Sequence, residues 1–246
     1  MQRTELHFHI LPRVDDGPSD LDEAVEMGRL AVADGTGLVT ATPHVRDLLT
    51  AGILEELPAR VREVEEALRD AGIPLEVRPG AELAHDDVPL LGDHELEAIA
   101  QGPPGRRWVL LEAPLFDPDL DGFLAAAAEV RARGFGTLIG HPERCDVFME
   151  ADGAVEAERR AGARLQVNAS SLTGRHGRAA RRWGRELLGA GRADVIASDA
   201  HRPSRPPMLS AALEALGEAG AERFVDATPR ALVTDGIAPA RRVRAA

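Results

Sequence analysis

Lysine and tyrosine are absent from this chain of 246 residues, so all 29 of its basic residues are arginine. The lack of lysine excludes any active site that needs a lysine side chain. One such class is the binuclear amidohydrolases whose metals are bridged by a carbamylated lysine. Amidohydrolases or lactonases bridged by a glutamate stay open.

Cysteine occurs once, at Cys145, which excludes an internal disulfide. A cysteine-dependent tyrosine phosphatase needs a cysteine, five further residues and then an arginine. Ala151 stands where that arginine would be. The sequence therefore argues against a phosphocysteine intermediate, and Cys145 is interpreted as an incidental thiol.

Long hydrophobic runs are also missing, and no stretch of about 18 apolar residues suggests a membrane span. The start of the chain lacks the apolar core of a secretory signal. The formal net charge of -12 argues against a general nucleic-acid binder, whose affinity depends on neutralising phosphates. We therefore expect a cytoplasmic protein that neither binds nucleic acid nor inserts into a membrane.

Short apolar runs alternate with longer helical patterns, which predicts parallel β/α units and fits the length of one α/β barrel. The predicted strands are residues 5–9, 37–41, 75–78, 108–112, 136–140, 164–168 and 194–197. The predicted helices are residues 20–34, 54–71, 122–133, 154–161, 177–188 and 207–219. Because no linker stands out, residues 1–246 are expected to form one domain with a short basic tail at about 238–246.

Polar residues follow these apolar strands, at the end where the active site of a parallel barrel forms. His7 and His9 are two residues apart, so they face the same side of a strand and suit metal chelation. The residues that share this strand-end position are His7, His9, Asp15, His44, Glu82, Glu112, His141, Asp199 and His201. His85, His94 and His176 lie away from the strand ends and are expected to be surface or loop residues.

The charge of this set favours several metal ions. Four carboxylates and five neutral imidazoles carry a formal charge of -4. Three divalent ions would bring the site to about +2, which suits a phosphate dianion. Nitrogen and oxygen ligands without thiolate fit Zn, Mn or Fe and fit Mg poorly.

Taken together, these motifs resemble those of the polymerase and histidinol phosphatase (PHP) family. The resemblance rests on His7-Phe8-His9, Asp15-Asp16-Gly17, Thr42-Pro43-His44, Gly80-Ala81-Glu82, Glu112, His141-Pro142-Glu143-Arg144, Gln166-Val167-Asn168 and Ser198-Asp199-Ala200-His201. Within that family the chain is most similar to the bacterial tyrosine phosphatases of capsule and exopolysaccharide operons. The resemblance implies a distorted (β/α)7 TIM-like barrel, the PHP fold, with three divalent metal ions, Mn being favoured over Fe and Zn.

Position by position, the resemblance also implies a ligand set. One metal would use His7, His9, Glu82 and Asp199, and a second would share Glu82 and add Glu112 and His141. A third would use Asp15, His44 and His201.

The implied reaction is phosphomonoester hydrolysis by a metal-activated hydroxide. Arg144 would bind the substrate phosphate, and Arg205 or its neighbour Arg202 would be the second phosphate arginine. Asp199 and His201 are the candidates for donating a proton to the leaving oxygen. The implied substrate is a phosphotyrosine protein of a polysaccharide system, with a bacterial tyrosine autokinase as partner.

Two alternatives use the same residues. A phosphatase similar to histidinol phosphatase would act on a small phosphate ester with an identical ligand set. An inactive metal-binding module would require a broken ligand set, but all nine residues are present. The sequence predicts no oligomeric state.

Overall fold

The computed structural model describes residues 2–115, 119–151 and 153–238. The predicted basic tail lies outside the described residues except for Ala238. No helix in these ranges is both long and apolar enough to cross a membrane.

Eight parallel strands form two sheets in the described chain. The first sheet has the order β1-β2-β3, and the second has the order β4-β5-β6-β7-β8. Their bounds are β1 Arg3–Phe8, β2 Thr36–Ala41, β3 Glu76–Pro79, β4 Glu82–Leu83, β5 Trp108–Glu112, β6 Gly136–Gly140, β7 Arg164–Asn168 and β8 Val195–Ala197. Isolated parallel bridges join Phe8 to Ala200 and His44 to Glu82, so the two sheets meet near both of their outer edges.

Helices connect the strands, as expected for parallel pairs, which need a crossover. They are α1 Leu21–Ala33, α2 Val45–Ala51, α3 Leu57–Asp70, α4 Asp93–Ile99, α5 Leu120–Ala132, α6 Asp146–Glu150, α7 Ala154–Arg160, α8 Ala169–Leu172, α9 Gly177–Gly189, α10 Leu209–Leu216 and α11 Ala227–Thr234. Four short 3₁₀ helices span Leu54–Glu56, His85–Leu90, Pro142–Arg144 and Ala221–Phe224.

The predicted alternation of strands and helices is confirmed, with differences at the short elements. The predicted helix 54–71 divides into a 3₁₀ turn and α3, because Pro58 suits the first turn of an α-helix. Helix α5 starts two residues before its predicted start, since the carboxylate of Asp119 accepts a hydrogen bond from Gly122 N at 2.9 Å. The sequence did not predict β4, which has only two residues.

Two hydrophobic clusters fill the interior. The larger one packs the helices against the outer faces of the strands. The smaller one gathers Leu6, Trp108, Leu110, Leu138 and Val195 from four strands, with Leu232, Val233 and Ile237 near the end of the described chain. The indole N–H of Trp108 donates to the carbonyl of Leu232 at 2.8 Å. Strand alternation puts Glu112 on the same face as Trp108 and Leu110, at the carboxyl end of β5.

Candidate metal centre

The two histidines of β1 lie side by side, as their spacing predicts. Both are fully buried, and their Nε2 atoms are 3.2 Å apart. The other ring nitrogen of each is already engaged: Nδ1 of His7 lies 3.1 Å from Gln166 Oε1, and Nδ1 of His9 lies 2.7 Å from Asp15 Oδ2. Such partners fix the orientation of a histidine whose remaining nitrogen binds metal. Nε2 is therefore the ligand atom that each ring offers.

Glu82 occupies the middle of the cluster. Its Oε2 lies 3.2 Å from His7 Nε2, 3.4 Å from His9 Nε2 and 3.2 Å from His44 Nδ1. Its Oε1 lies 3.0 Å from His141 Nε2. The two oxygens thus face different sets of imidazoles, which is the arrangement a carboxylate needs to bridge two ions.

Asp199 contacts the same nitrogen of His7 as Glu82 does. Its Oδ1 is 3.4 Å from His7 Nε2 and 3.4 Å from His201 Nδ1. Its Oδ2 accepts hydrogen bonds from Arg144 Nη1 at 2.9 Å and Asn168 Nδ2 at 2.8 Å. One oxygen therefore remains directed at the histidines while the other is held by donors.

The nitrogen and oxygen atoms of this cluster form four groups in which all ligand atoms lie within 4.8 Å of one another. These groups are His9-Asp16-His44-His201, His7-His9-Glu82, His7-His141-Asp199 and His44-Glu82-Glu112. The cluster therefore contains eight of the nine residues that the sequence predicted, and the groups overlap at His7, His9, His44 and Glu82.

Asp15 is the predicted residue that the groups leave out. Its Oδ2 contacts His9 Nδ1 and accepts the backbone N–H of His44 at 3.1 Å, and its Oδ1 accepts the backbone N–H of Gly17 at 2.9 Å. Both carboxylate oxygens of Asp15 therefore have partners other than the ligand atoms of the cluster. Asp16 takes the position expected of Asp15, with Oδ1 3.1 Å from His201 Nε2 and 3.7 Å from His44 Nε2. Because the two aspartates are adjacent in a turn, the sequence alone did not show which one faces the cluster.

The charges of neighbouring histidines and carboxylates oppose the effect that burial has on their pKa values. Burial alone would raise the pKa of Glu82, but His7 and His141 hold it well below its usual value. Burial alone would lower the pKa of His9, but Asp15 raises it well above its usual value. Burial and the charge of Glu82 raise the pKa of Glu112. The metal-free site therefore holds protons that bound cations would displace.

The donor set fits divalent metal ions. It combines neutral imidazoles and carboxylates without a thiolate, which is the chemistry of Mn, Fe or Zn sites. His141 Nδ1 is buried without a hydrogen-bond partner, while its Nε2 faces Glu82. Among the described non-glycine residues, Arg13, His141 and Asp199 have a positive φ, at 59°, 36° and 53°. Strained backbone of this kind concentrates at functional sites, and here it aims two of the predicted ligands.

A cavity of about 220 Å³ opens onto the cluster. Its lining includes the predicted phosphate-binding residues Arg144 and Arg205, together with Glu82, Glu112, His141, Asp199 and His201. Arg205 Nη1 lies 3.1 Å from Asp16 Oδ2. Arg202 does not line this cavity and donates instead to the backbone carbonyl of Asp16 at 2.9 Å. The position of the two side chains favours Arg205 over Arg202.

His176 also lines this cavity, although its position in the sequence suggested only a surface or loop residue. It does lie in an exposed loop, before α9, and its Nε2 is 2.8 Å from Ser170 Oγ. Burial and the charge of Arg144 lower the pKa of His176 to about 4, so the ring is neutral near pH 7. His94 is exposed on α4, and the ring of His85 packs 6.5 Å from that of Phe123.

Two buried glutamates support the loops that carry the ligands. Glu143 Oε1 accepts Asn168 N at 3.0 Å and Ser171 Oγ at 2.6 Å, and burial raises the pKa of Glu143 to about 7. Glu5 accepts the backbone N–H of Ser198 at 3.0 Å, and burial raises its pKa to about 8. Glu143 belongs to one of the sequence motifs and Glu5 to the first predicted strand, but the sequence did not predict these supporting contacts.

Cys145 takes no part in the cluster. The thiol is buried and donates to the carbonyl of Pro114 at 3.3 Å. Burial raises its pKa above the usual range, which disfavours the reactive thiolate.

Comparison with known proteins gives one consistent result. The family described as "Capsular polysaccharide synthesis, CpsB/CapC" matches residues 3–230. The chain is 30% identical over 204 residues to the tyrosine-protein phosphatase YwqE of Bacillus subtilis, covering 80% of this chain and 76% of that protein. It is 28% identical over 208 residues to the putative tyrosine-protein phosphatase CapC of Staphylococcus aureus, covering 83% and 79% of the two chains.

A solved structure has the same fold. It comes from a study of YwqE from Bacillus subtilis and CpsB from Streptococcus pneumoniae, described as unique metal-dependent tyrosine phosphatases. The superposition has a TM-score of 0.74 at 24% identity and covers 98% of this chain and 100% of the other.

Proposed function

Because the chain belongs to the CpsB/CapC family of capsular polysaccharide synthesis, we propose that it is a metal-dependent protein-tyrosine phosphatase. The observation that carries this proposal is Glu82, whose two carboxylate oxygens face four histidines, from the ends of β1 and β6 and from the loop after β2. Hydrolysis at such a site draws on the Lewis acidity of bound divalent ions, which lowers the pKa of water and offsets phosphoryl charge.

The proposed ligand set has three parts. His7, His9, Glu82 and Asp199 would hold one Mn, Fe or Zn ion, and Glu82, Glu112 and His141 would hold a second. Asp16, His44 and His201 would hold a third, with Asp16 in place of Asp15. This last assignment is supported by the contacts of Asp16 with His201 and His44.

Arginine side chains would bind the phosphate of the substrate. Arg144 is held beside the cluster by Asp199, and its guanidinium can donate two parallel hydrogen bonds to a phosphate. Arg205 would approach from the exposed rim, on the side of Asp16. Asp199 and His201 face the cavity and are the proposed proton donors to the leaving oxygen.

We further propose that the two sheets are parts of one distorted (β/α)7 barrel, in a single domain. The support is the pair of isolated bridges that join the sheets, Phe8 to Ala200 and His44 to Glu82. Strands β3 and β4 are separated by Gly80 and Ala81 alone, so they count as one interrupted strand of seven. A side chain at Gly80 would meet the Thr40 methyl at 2.6 Å, which shows how closely the chain passes β2 at this interruption.

From the family description, capsular polysaccharide synthesis, we infer that the substrate belongs to a bacterial polysaccharide system. We propose a phosphotyrosine protein in the cytoplasm as substrate and a tyrosine autokinase as partner. A small phosphate ester such as histidinol phosphate would use the same ligands, so only the choice of substrate separates these functions.

The test is an assay of purified protein reconstituted with Mn, Fe or Zn. We expect turnover of p-nitrophenyl phosphate and of phosphotyrosine peptides, and much slower turnover of histidinol phosphate. His141→Ala should abolish turnover of p-nitrophenyl phosphate, because it removes a ligand beside Glu82. His94→Ala, an exposed histidine on α4, is the matched control. Full activity of the His141 variant would contradict the proposed site.

A further inference from the structure

The outer face of α9 carries a cluster of arginines in a chain whose net charge is -12. Arg178, Arg181 and Arg182 are exposed on the helix, and Arg175 is exposed in the loop before it. We call these four residues the α9 arginines. Ala180, Gly184, Leu187 and Leu188 form the buried side of the same helix.

The α9 arginines differ from three arginines of other helices in having no acidic partner among the described residues. Arg29, Arg60 and Arg230 each pair with a carboxylate one turn earlier in the chain, in the same helix or directly before it. In the part of the chain that the structure describes, the side chains of the α9 arginines form neither ion pairs nor hydrogen bonds. The only acid within α9 is Glu186, in the second half of the helix.

The first turn of α9 borders a cavity next to the one over the predicted metal ligands. Arg144 and His176 line both the cavity over the metal ligands and a neighbouring cavity of about 270 Å³. Ala179 and Ala180, in the first turn of α9, line the second cavity too, with Asp146 and Met149 of α6 on its other side.

The spacing of the arginines matches an extended polypeptide. Arg178 and Arg182 are four residues apart, which is about 6 Å along a helix axis. Alternate residues of an extended chain are about 6.8 Å apart. Acidic side chains at alternate positions could therefore each meet one arginine.

We propose that the α9 arginines dock an acidic segment of the substrate polypeptide, next to its phosphotyrosine. This inference rests on the proposed phosphatase function and names the kind of protein substrate that the cleft selects. An anionic membrane surface is the less favoured occupant, because it would face the acidic remainder of the protein as well as the α9 arginines, whereas a peptide segment would contact the arginines alone.

The experiment compares phosphotyrosine peptides that carry alternating Glu on one flank with peptides that carry Gln at the same positions. Rates are normalised to p-nitrophenyl phosphate for each protein. We expect kcat/KM to be about 5- to 10-fold higher for the Glu peptide on one of the two flanks, since a few exposed ion pairs supply that much. The preference should shrink as salt is raised.

R178E/R182E should remove or reverse the preference. R62E/R69E is the matched control, because it makes the same change of charge with two exposed arginines of α3. The proposal would be overturned if the unsubstituted protein hydrolysed the Glu and Gln peptides at equal rates, whichever flank of the phosphotyrosine carries the changed residues. A preference for the Glu peptide that survives in R178E/R182E would also overturn it. So would a loss of that preference in R62E/R69E as large as the loss in R178E/R182E.

A binding measurement separates this proposal from the phosphatase function itself. Fluorescence anisotropy with non-hydrolysable phosphonate analogues of the Glu and Gln peptides needs no turnover. If no phosphate ester is hydrolysed, the proposed function fails, and the difference in affinity still decides the role of α9. Sedimentation with phosphatidylglycerol vesicles that depends on Arg178 and Arg182, with no peptide preference, would overturn peptide docking in favour of a membrane.

Discussion

Asp15 Oδ2 lies 2.7 Å from Nδ1 of His9, on the side of the ring that faces away from the other ligands. The nitrogen that faces them, Nε2, is 3.4 Å from Glu82 Oε2. Asp15 therefore contacts a predicted ligand from behind, whereas Asp16 reaches the cluster directly through its contacts with His201 and His44. Two adjacent carboxylates thus occupy different positions, and we propose different roles for them.

The first prediction separates these two roles. Asp16→Asn should remove one metal per chain and lower kcat by at least about 100-fold, because it weakens a direct ligand. Asp15→Asn should keep the metal count at saturating metal but weaken metal affinity by about 10- to 100-fold, as changes to orienting partners do. Metal content measured against free metal concentration, together with kcat, checks both variants. The reverse order of effects would restore Asp15 as the ligand.

The second prediction ranks the arginines. Arg144→Ala should lower kcat/KM by about 100-fold or more, because it removes a charge-assisted donor fork beside the reacting phosphate. Arg205→Ala should cost about 10-fold, since the side chain is exposed and screened by water. Arg202→Ala should have the smallest effect, because its side chain holds the carbonyl of Asp16 and does not line the cavity. A larger loss for Arg202 than for Arg205 would identify Arg202 as the second phosphate ligand.

The third prediction concerns His176. The neutral ring at the rim of the cavity can donate or accept one hydrogen bond, so His176→Ala should lower kcat/KM on phosphotyrosine peptides by about fivefold. The folded-state pKa of about 4 lies below the usual value, so the ring gains no proton between about pH 6 and about pH 8. The fold decrease in kcat/KM caused by His176→Ala should therefore be the same at both ends of that pH range. A loss confined to the acidic end would show that the protonated ring acts.

The fourth prediction concerns metal removal. The metal-free cluster brings together the carboxylates of Glu82, Glu112 and Asp199, whose charge is offset by bound protons and by Arg144 beside Asp199. Tight binding of cations to the folded state alone should raise the melting temperature by on the order of 10 °C. Thermal unfolding with chelator, and after return of Mn, Zn or Mg, measures the shift. We expect Mg to restore the least, because it prefers all-oxygen ligands. An unchanged melting temperature with chelator would contradict a preformed multi-metal site.

Much of the site could be predicted because strands impose a simple period. His7 and His9 must lie on the same face of β1, and Glu112 must lie on the same face of β5 as Trp108 and Leu110. Because the apolar runs are followed by histidines or acidic residues, the sequence predicted that eight of the cluster residues lie near one another. The alternation of elements predicted parallel sheets for the same reason, since parallel pairs need helical crossovers.

Residues in turns and loops could not be assigned in this way. Asp15 and Asp16 are adjacent in a turn, and only the folded backbone decides that one faces His9 while the other faces His201. His176 follows no strand, and it reaches the cavity because the loop before α9 passes beside Arg144. The sequence by itself determined which side chains could bind metal and at which end of the strands they gather. The tertiary structure alone decided which carboxylate joins the cluster, which arginine faces the cavity and which basic face borders the cleft. These depend on loop conformations and on contacts between residues far apart in the chain, which no short-range period encodes.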